Sequence, residues 1–156
     1  MTEALRWSDK FRLGYTPMDR THEEFVACVA ALQVATDAEL PACLEALAVH
    51  CEAHFRQEEQ WMTATEFPAA QCHADEHAAV LKSVREVQAL WGDPAQAERV
   101  PAVVRNLTQA LADWFPGHAD YMDAALSHWM AKRSLGGAPV VLRRGVATAS
   151  DTPATD

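Results

Sequence analysis

Positive charge is scarce in this chain. Lysine and arginine number 13 against 22 aspartates and glutamates, a net charge of −9 over 156 residues. Nucleic acid and anionic membrane surfaces both demand a basic face, so neither is expected as a partner. No run of about 18 apolar residues is present to span a bilayer. The opening MTEALRWSDKF has no apolar stretch behind a basic start, so no secretory signal is expected and the cytoplasm is the expected location. Cys28, Cys43, Cys51 and Cys72 show no CxxC spacing, which removes the usual zinc and dithiol motifs. Reduced thiols are expected, with Cys43 and Cys51 packing on the apolar face of their helix. Sustained alternation of apolar and polar residues is missing as well, so strands are not expected.

What is present is a 49% hydrophobic chain of a length that makes one compact domain with a real core. Breaker residues divide it into an arm, four helical segments and a tail. The arm runs to about Met18, with Gly14 and Pro17 interrupting regular structure. Asp19 stands where an N-cap is expected, ahead of a stripe of His22, Phe25, Val26, Val29 and Gln33. Asp37, with Pro41 in the first turn, introduces a second helix carrying Leu44, Leu47, Cys51, His54, Glu58 and Trp61. Pro68 separates it from a third helix with His73, His77, Val80, Leu81, Val84, Val87 and Trp91, closed by Gly92. After Pro94 and Pro101 a fourth carries Val104, Leu107, Leu111, Trp114, Phe115 and His118 to about Arg133. Short connections make sequential helices antiparallel, so the expected fold is all-α: an up-down-up-down four-helix bundle with an N-terminal arm. The domain is expected over residues 1–133. The Gly-, Ala-, Ser- and Thr-rich stretch 134–156 is expected to be a disordered tail, although PVVLRRGV within it could dock as an extended segment.

The chemistry lies in four stretches: His22, HFRQE at 54–58, HADEH at 73–77 and HADYMD at 118–123. They place five histidines and two carboxylates on the apolar stripes, not on the solvent faces. Burying such groups without partners costs roughly 2–7 kcal/mol even for each neutral one. Imidazoles and carboxylates converging inside a bundle are what a metal centre requires.

These residues, with Trp7, Gly14, Asp19, Glu59 and Trp114, resemble the hemerythrin family, and most closely its single-domain bacterial members. The resemblance covers about residues 5 to 130 and implies a non-haem di-iron centre. His73, His77 and His118 would hold one iron, and His22 and His54 the other. Glu58 and Asp123 would bridge them together with an oxo or hydroxo group. The division is chemically coherent: three imidazoles saturate one ion, and the two-histidine iron keeps a position open for O2 or another small ligand. Ligand type alone also suits zinc or manganese in the same geometry. Phe55, Trp114, Phe115 and Ala119 are expected to wall the open position. Ala119 stands where the family usually carries isoleucine, which enlarges that pocket. The implied function is reversible O2 binding for storage, transport or buffering, without net catalysis, by a monomer. Alternatives are a di-iron redox enzyme (a peroxidase, oxidase or nitric oxide reductase) and an O2 or redox sensor.

Two features depart from a regular helix. Pro116-Gly117 lies inside the fourth helix, where proline removes a backbone hydrogen bond and should kink it, unless Pro116 starts a new helix. His118 and Asp123 are five residues apart, so on an ideal helix their side chains point about 140° apart. Both can face one metal pair only if the helix unwinds locally, for example through a π-bulge. Of the other polar residues, His50 is read as core or as support for the ligands, and His128 as helix surface or end packing. Asp19, Glu59, Asp75, Glu76 and Asp120 are read as cap or solvated-face residues.

Overall fold

The computed structural model describes residues 3–135. Helix α1 spans Thr16–Val34, α2 Leu40–Ala64, α3 Ala70–Ala89, α4 Val100–His118 and α5 Ala124–Leu135. A π-helical turn, Ala119–Asp123, joins α4 to α5, so that the two form the fourth rod of a four-helix bundle. Each rod packs mainly on its neighbours in sequence, and α1 closes the ring against α4. Residues 35–39 and 65–69 are the only links between α1, α2 and α3, which holds consecutive helices antiparallel. Among the described residues there is no strand. The expected tail lies, beyond its first two residues, outside the described residues.

Apolar side chains occupy two separate clusters. The larger contains Phe25, Val29, Leu32, Leu44, Leu47, Phe55, Val84, Val104, Leu111 and Phe115. The smaller contains Met18, Met62, Phe67, Leu126 and Met130. On α1 the order Met18, His22, Phe25 passes from one cluster to the other through a histidine. On α2 Phe55, Glu58 and Met62 do so through a glutamate, and on the fourth rod Phe115, His118, Asp123 and Leu126 through two polar residues. The seven polar residues therefore form a layer between two apolar plugs.

The arm and the helix starts differ from expectation. Helix α1 begins at Thr16, with Pro17 inside its first turn, where a missing N–H costs no hydrogen bond. Asp19 is therefore not its N-cap. Its carboxylate instead accepts the backbone N–H groups of Leu13 at 2.7 Å and Gly14 at 3.1 Å, folding the arm back on the helix. Gly14 has φ of 94°, a left-handed conformation that favours glycine. Farther along, Phe11 lies 5.3 Å from Phe115, and the Leu5 N–H donates to Gln33 Oε1 at 2.6 Å, so the arm covers one side of the larger cluster. Asp37 does not cap α2 either. It pairs with Arg105 of α4 at 2.5 Å, while Glu39 accepts the Thr36 N–H at 2.8 Å.

The α-helix continues through Pro116 to His118, so Pro116 does not begin a new helix. The distortion falls just after it. The Ala124 N–H donates to the Ala119 carbonyl, five residues back, which is the bonding that widens one turn. Widening brings His118 and Asp123 to the same side of the rod, where His118 Nε2 lies 3.1 Å from Asp123 Oδ1.

Candidate metal centre

Each helix delivers its share of the polar layer. His22 comes from α1, His54 and Glu58 from successive turns of α2, His73 and His77 from successive turns of α3, and His118 from the end of α4. Asp123 closes the π-helical turn. None of the seven is more than 5% exposed. Their donor atoms fall into two groups, each lying within 4.8 Å: Glu58, His73, His77, His118 and Asp123, and His22, His54 and Glu58. All seven residues singled out in the sequence are thus brought together.

The two carboxylates sit between the groups. Glu58 turns Oε1 to His54 Nε2 at 2.8 Å and His22 Nε2 at 3.4 Å, and turns Oε2 to His77 Nε2 at 3.1 Å and His73 Nε2 at 3.3 Å. Asp123 does the same, with Oδ2 at 3.0 Å from His22 Nε2 and Oδ1 at 2.9 Å from His73 Nε2. Of these approaches only His54 to Glu58 has hydrogen-bond geometry. Among the described residues the Nε2 atoms of His22, His73, His77 and His118, Glu58 Oε2 and both Asp123 oxygens have no hydrogen-bond partner. Native interiors rarely leave so many buried polar atoms unpaired. Ring nitrogens and carboxylate oxygens converging in such number without hydrogen-bond partners fit a pair of cations, and imidazole with carboxylate suits iron.

Electrostatics points the same way. Burial alone would depress His22, yet the neighbouring Asp123 and Glu58 carboxylates outweigh it and raise its pKa to about 9. The same opposition raises His73 to about 9. Burial pushes Glu58 and Asp123 up, and the surrounding imidazoles more than reverse it, leaving both below the ordinary carboxylate range. The buried carboxylates call for positive charge at the centre, which metal ions supply without protonating the ligands. His77 is held lower than usual, chiefly by burial, as a neutral ligand requires.

Aromatic rings enclose the layer. Phe55 stacks on His77 with centroids 4.1 Å apart and planes 8° apart, and Trp114 stacks on His118 at 4.3 Å and 27°. Phe115 meets His22 edge-on at 5.4 Å. Ala119 is buried in the same cluster as Phe55 and Phe115. Phe25 is a wall residue that sequence reasoning left out of the pocket. Fully buried, it lies 5.0 Å from Phe115 and 6.2 Å from His54. Its position three residues after His22, on the same helix face, was the available signal.

Around the layer, His50 is half-buried, lies 5.3 Å from His54 and has its pKa lowered to about 4, first by burial. His128 is exposed, as are Asp75 and Asp120. Glu59 approaches His77 Nδ1 no closer than 4.0 Å and is 41% exposed at its side chain. Glu76 is a correction. Instead of a solvated-face residue it is a shared acceptor, taking hydrogen bonds from Trp114 Nε1 and His118 Nδ1, each at 2.8 Å, on one oxygen. No local pattern could reveal this, because its partners lie 38 and 42 residues away.

Comparison with known proteins agrees with the geometry. Residues 13–129 match the hemerythrin HHE cation binding domain. A bacteriohemerythrin of Ralstonia nicotianae is 35% identical over 130 residues, covering 83% of this chain and 91% of that protein. No solved structure gives a significant match.

Proposed function

The chain belongs to the hemerythrin family, and from that membership we propose that it binds O2 reversibly at a non-haem di-iron centre. His73, His77 and His118 would hold one iron and His22 and His54 the other, with Glu58 and Asp123 shared between them. The observation that carries this reading is the split of each carboxylate, with one oxygen turned to each histidine group. A pair of ferrous ions, bound by these residues, would supply the reversible electron transfer that O2 binding needs.

The chain's own residues do the rest. Three imidazoles crowd one side of the layer, while His22 and His54 leave coordination free on the other. Phe25, Phe55 and Phe115 line that region with hydrocarbon and keep water and its protons from the bound gas. The buried Cys51 thiol, pushed up to about 12 by burial, stays protonated. A second reading, a redox enzyme on the same centre, is favoured by a cleft between α2 and α3. Glu52, Arg56 and Glu59 line it, and it reaches Phe55 and His77, bringing solvent and charge close to the layer.

Elemental analysis tests the first step, with two irons per chain expected. Visible spectra of the anaerobically reduced protein, before and after air, test the second. Charge-transfer bands that vanish again on removal of O2 support carriage. Sustained O2 consumption with added reductant supports the enzyme.

A further inference from the structure

Each of the five clustered histidines points Nε2 into the layer and Nδ1 away from it. Among the described residues, Nδ1 of His22, His54, His73 and His77 has no hydrogen-bond partner. His118 differs, because its Nδ1 bonds to Glu76 Oε1 at 2.8 Å. A carboxylate can only accept, so the proton sits on Nδ1 and the lone pair on Nε2, facing Asp123 and the layer. The same Glu76 oxygen accepts Trp114 Nε1–H at 2.8 Å, and the Trp114 ring lies flat on His118. Glu76 thereby holds both the tautomer and the plane of one imidazole.

His118 also has a distinct place among the five. His22, His54, His73 and His77 stand inside uninterrupted α-helix. His118 is the last α-helical residue before the π-helical turn, and Pro116, two residues earlier, has no N–H to give the helix. The widened turn brings Asp123 round beside it, so the rod is least regular where this histidine sits. The hydrogen bond from α3 fixes the ring from outside the rod.

We propose that Glu76 is the positioning residue for His118: it fixes the ring beside the π-helical turn, and its negative charge makes the imidazole a stronger donor to the iron it would hold. This rests on the di-iron reading above. The charge also implies a redox consequence, since an anion hydrogen-bonded to an iron ligand favours the ferric state over the ferrous.

The test uses the full chain with Glu76→Ala, Glu76→Gln and, as control, Asp75→Ala, an exposed acid of the same helix bonded only to Gln71. Ferrous iron affinity is measured by competition with a chromophoric chelator, the potential by redox titration, and the His118 Nδ1–H by NMR of the zinc-loaded protein. Glu76→Ala is expected to weaken iron binding about 10- to 100-fold, to raise the potential and to lose the protected Nδ1–H signal. Glu76→Gln keeps an oxygen that accepts both N–H groups, so it is expected to restore most of the affinity and the signal, yet not the potential. Asp75→Ala should change none of the three. Parental affinity and potential in Glu76→Ala would overturn the proposal and leave the di-iron reading standing. A parent protein that takes up no iron would overturn both.

Discussion

Stripping the metal should make stability fall as pH rises. Without cations, the buried carboxylates of Glu58 and Asp123 draw protons onto His22 and His73, whose pKa values rise from 6.5 to about 9. In the unfolded chain both imidazoles return to the ordinary value. A group raised on folding contributes its full stability below the unfolded pKa and loses it as pH climbs through the folded one. The window is therefore pH 6.5 to 9. One imidazole moved over that span is worth about 3 kcal/mol, and the two together less than twice that, because they share the same two carboxylates. For a domain of this size about 3 kcal/mol lowers the melting temperature by about 6–12 °C. His50 and His77, whose pKa values are lowered, lose their remaining unfolded-state protons within about one unit above pH 6.5 and contribute little across the window. With iron bound, the ring nitrogens are ligands and take no proton, so the alkaline loss should disappear and the gap between loaded and stripped protein should widen. Thermal unfolding of both forms at pH 6.5, 7.5 and 9 reads this directly. A stripped protein that melts at the same temperature across the window would refute the imidazolium–carboxylate pairing.

Four substitutions follow from the same geometry. Glu58→Ala removes the residue common to both donor groups and should lose at least one iron, whereas Glu59→Ala, on a largely solvated side chain, should keep both; equal loss by elemental analysis would mean the wrong glutamate bridges. Ala119→Ile adds a branched side chain beside Phe55 and Phe115, so the air-induced absorption should decay more slowly, at a packing cost of about 1–3 kcal/mol. Its decay should be timed on protein whose iron content matches the parent, and an unchanged or faster rate would show that Ala119 does not control solvent entry. Asp19→Ala leaves the Leu13 and Gly14 N–H groups without their acceptor and should cost about 1–3 kcal/mol in chemical denaturation with iron content unchanged; loss of iron would show that the arm shapes the metal layer itself.

Much of this protein is legible along the chain because helices repeat every 3.6 residues. The stripes through His22, His54–Glu58 and His73–His77 mark the core-facing sides, and with them the buried polar layer. The five-residue step from His118 to Asp123 disagreed with that period, and the disagreement itself located the widened turn. Helix starts were less legible. Asp19 and Asp37 have the side chains of caps, but a carboxylate takes whichever donor lies nearest in space. The folded arm and Arg105 were nearer than the first turns of α1 and α2. Glu76 shows the limit most clearly. Its sequence neighbours mark it as an ordinary polar residue, and only the packing of α3 against α4 sets Trp114 and His118 above its single accepting oxygen. Residue type and spacing decide which groups a helix turns inward, since backbone geometry is local. Which far-off partner each group then meets depends on how whole helices pack, and that is decided only in three dimensions.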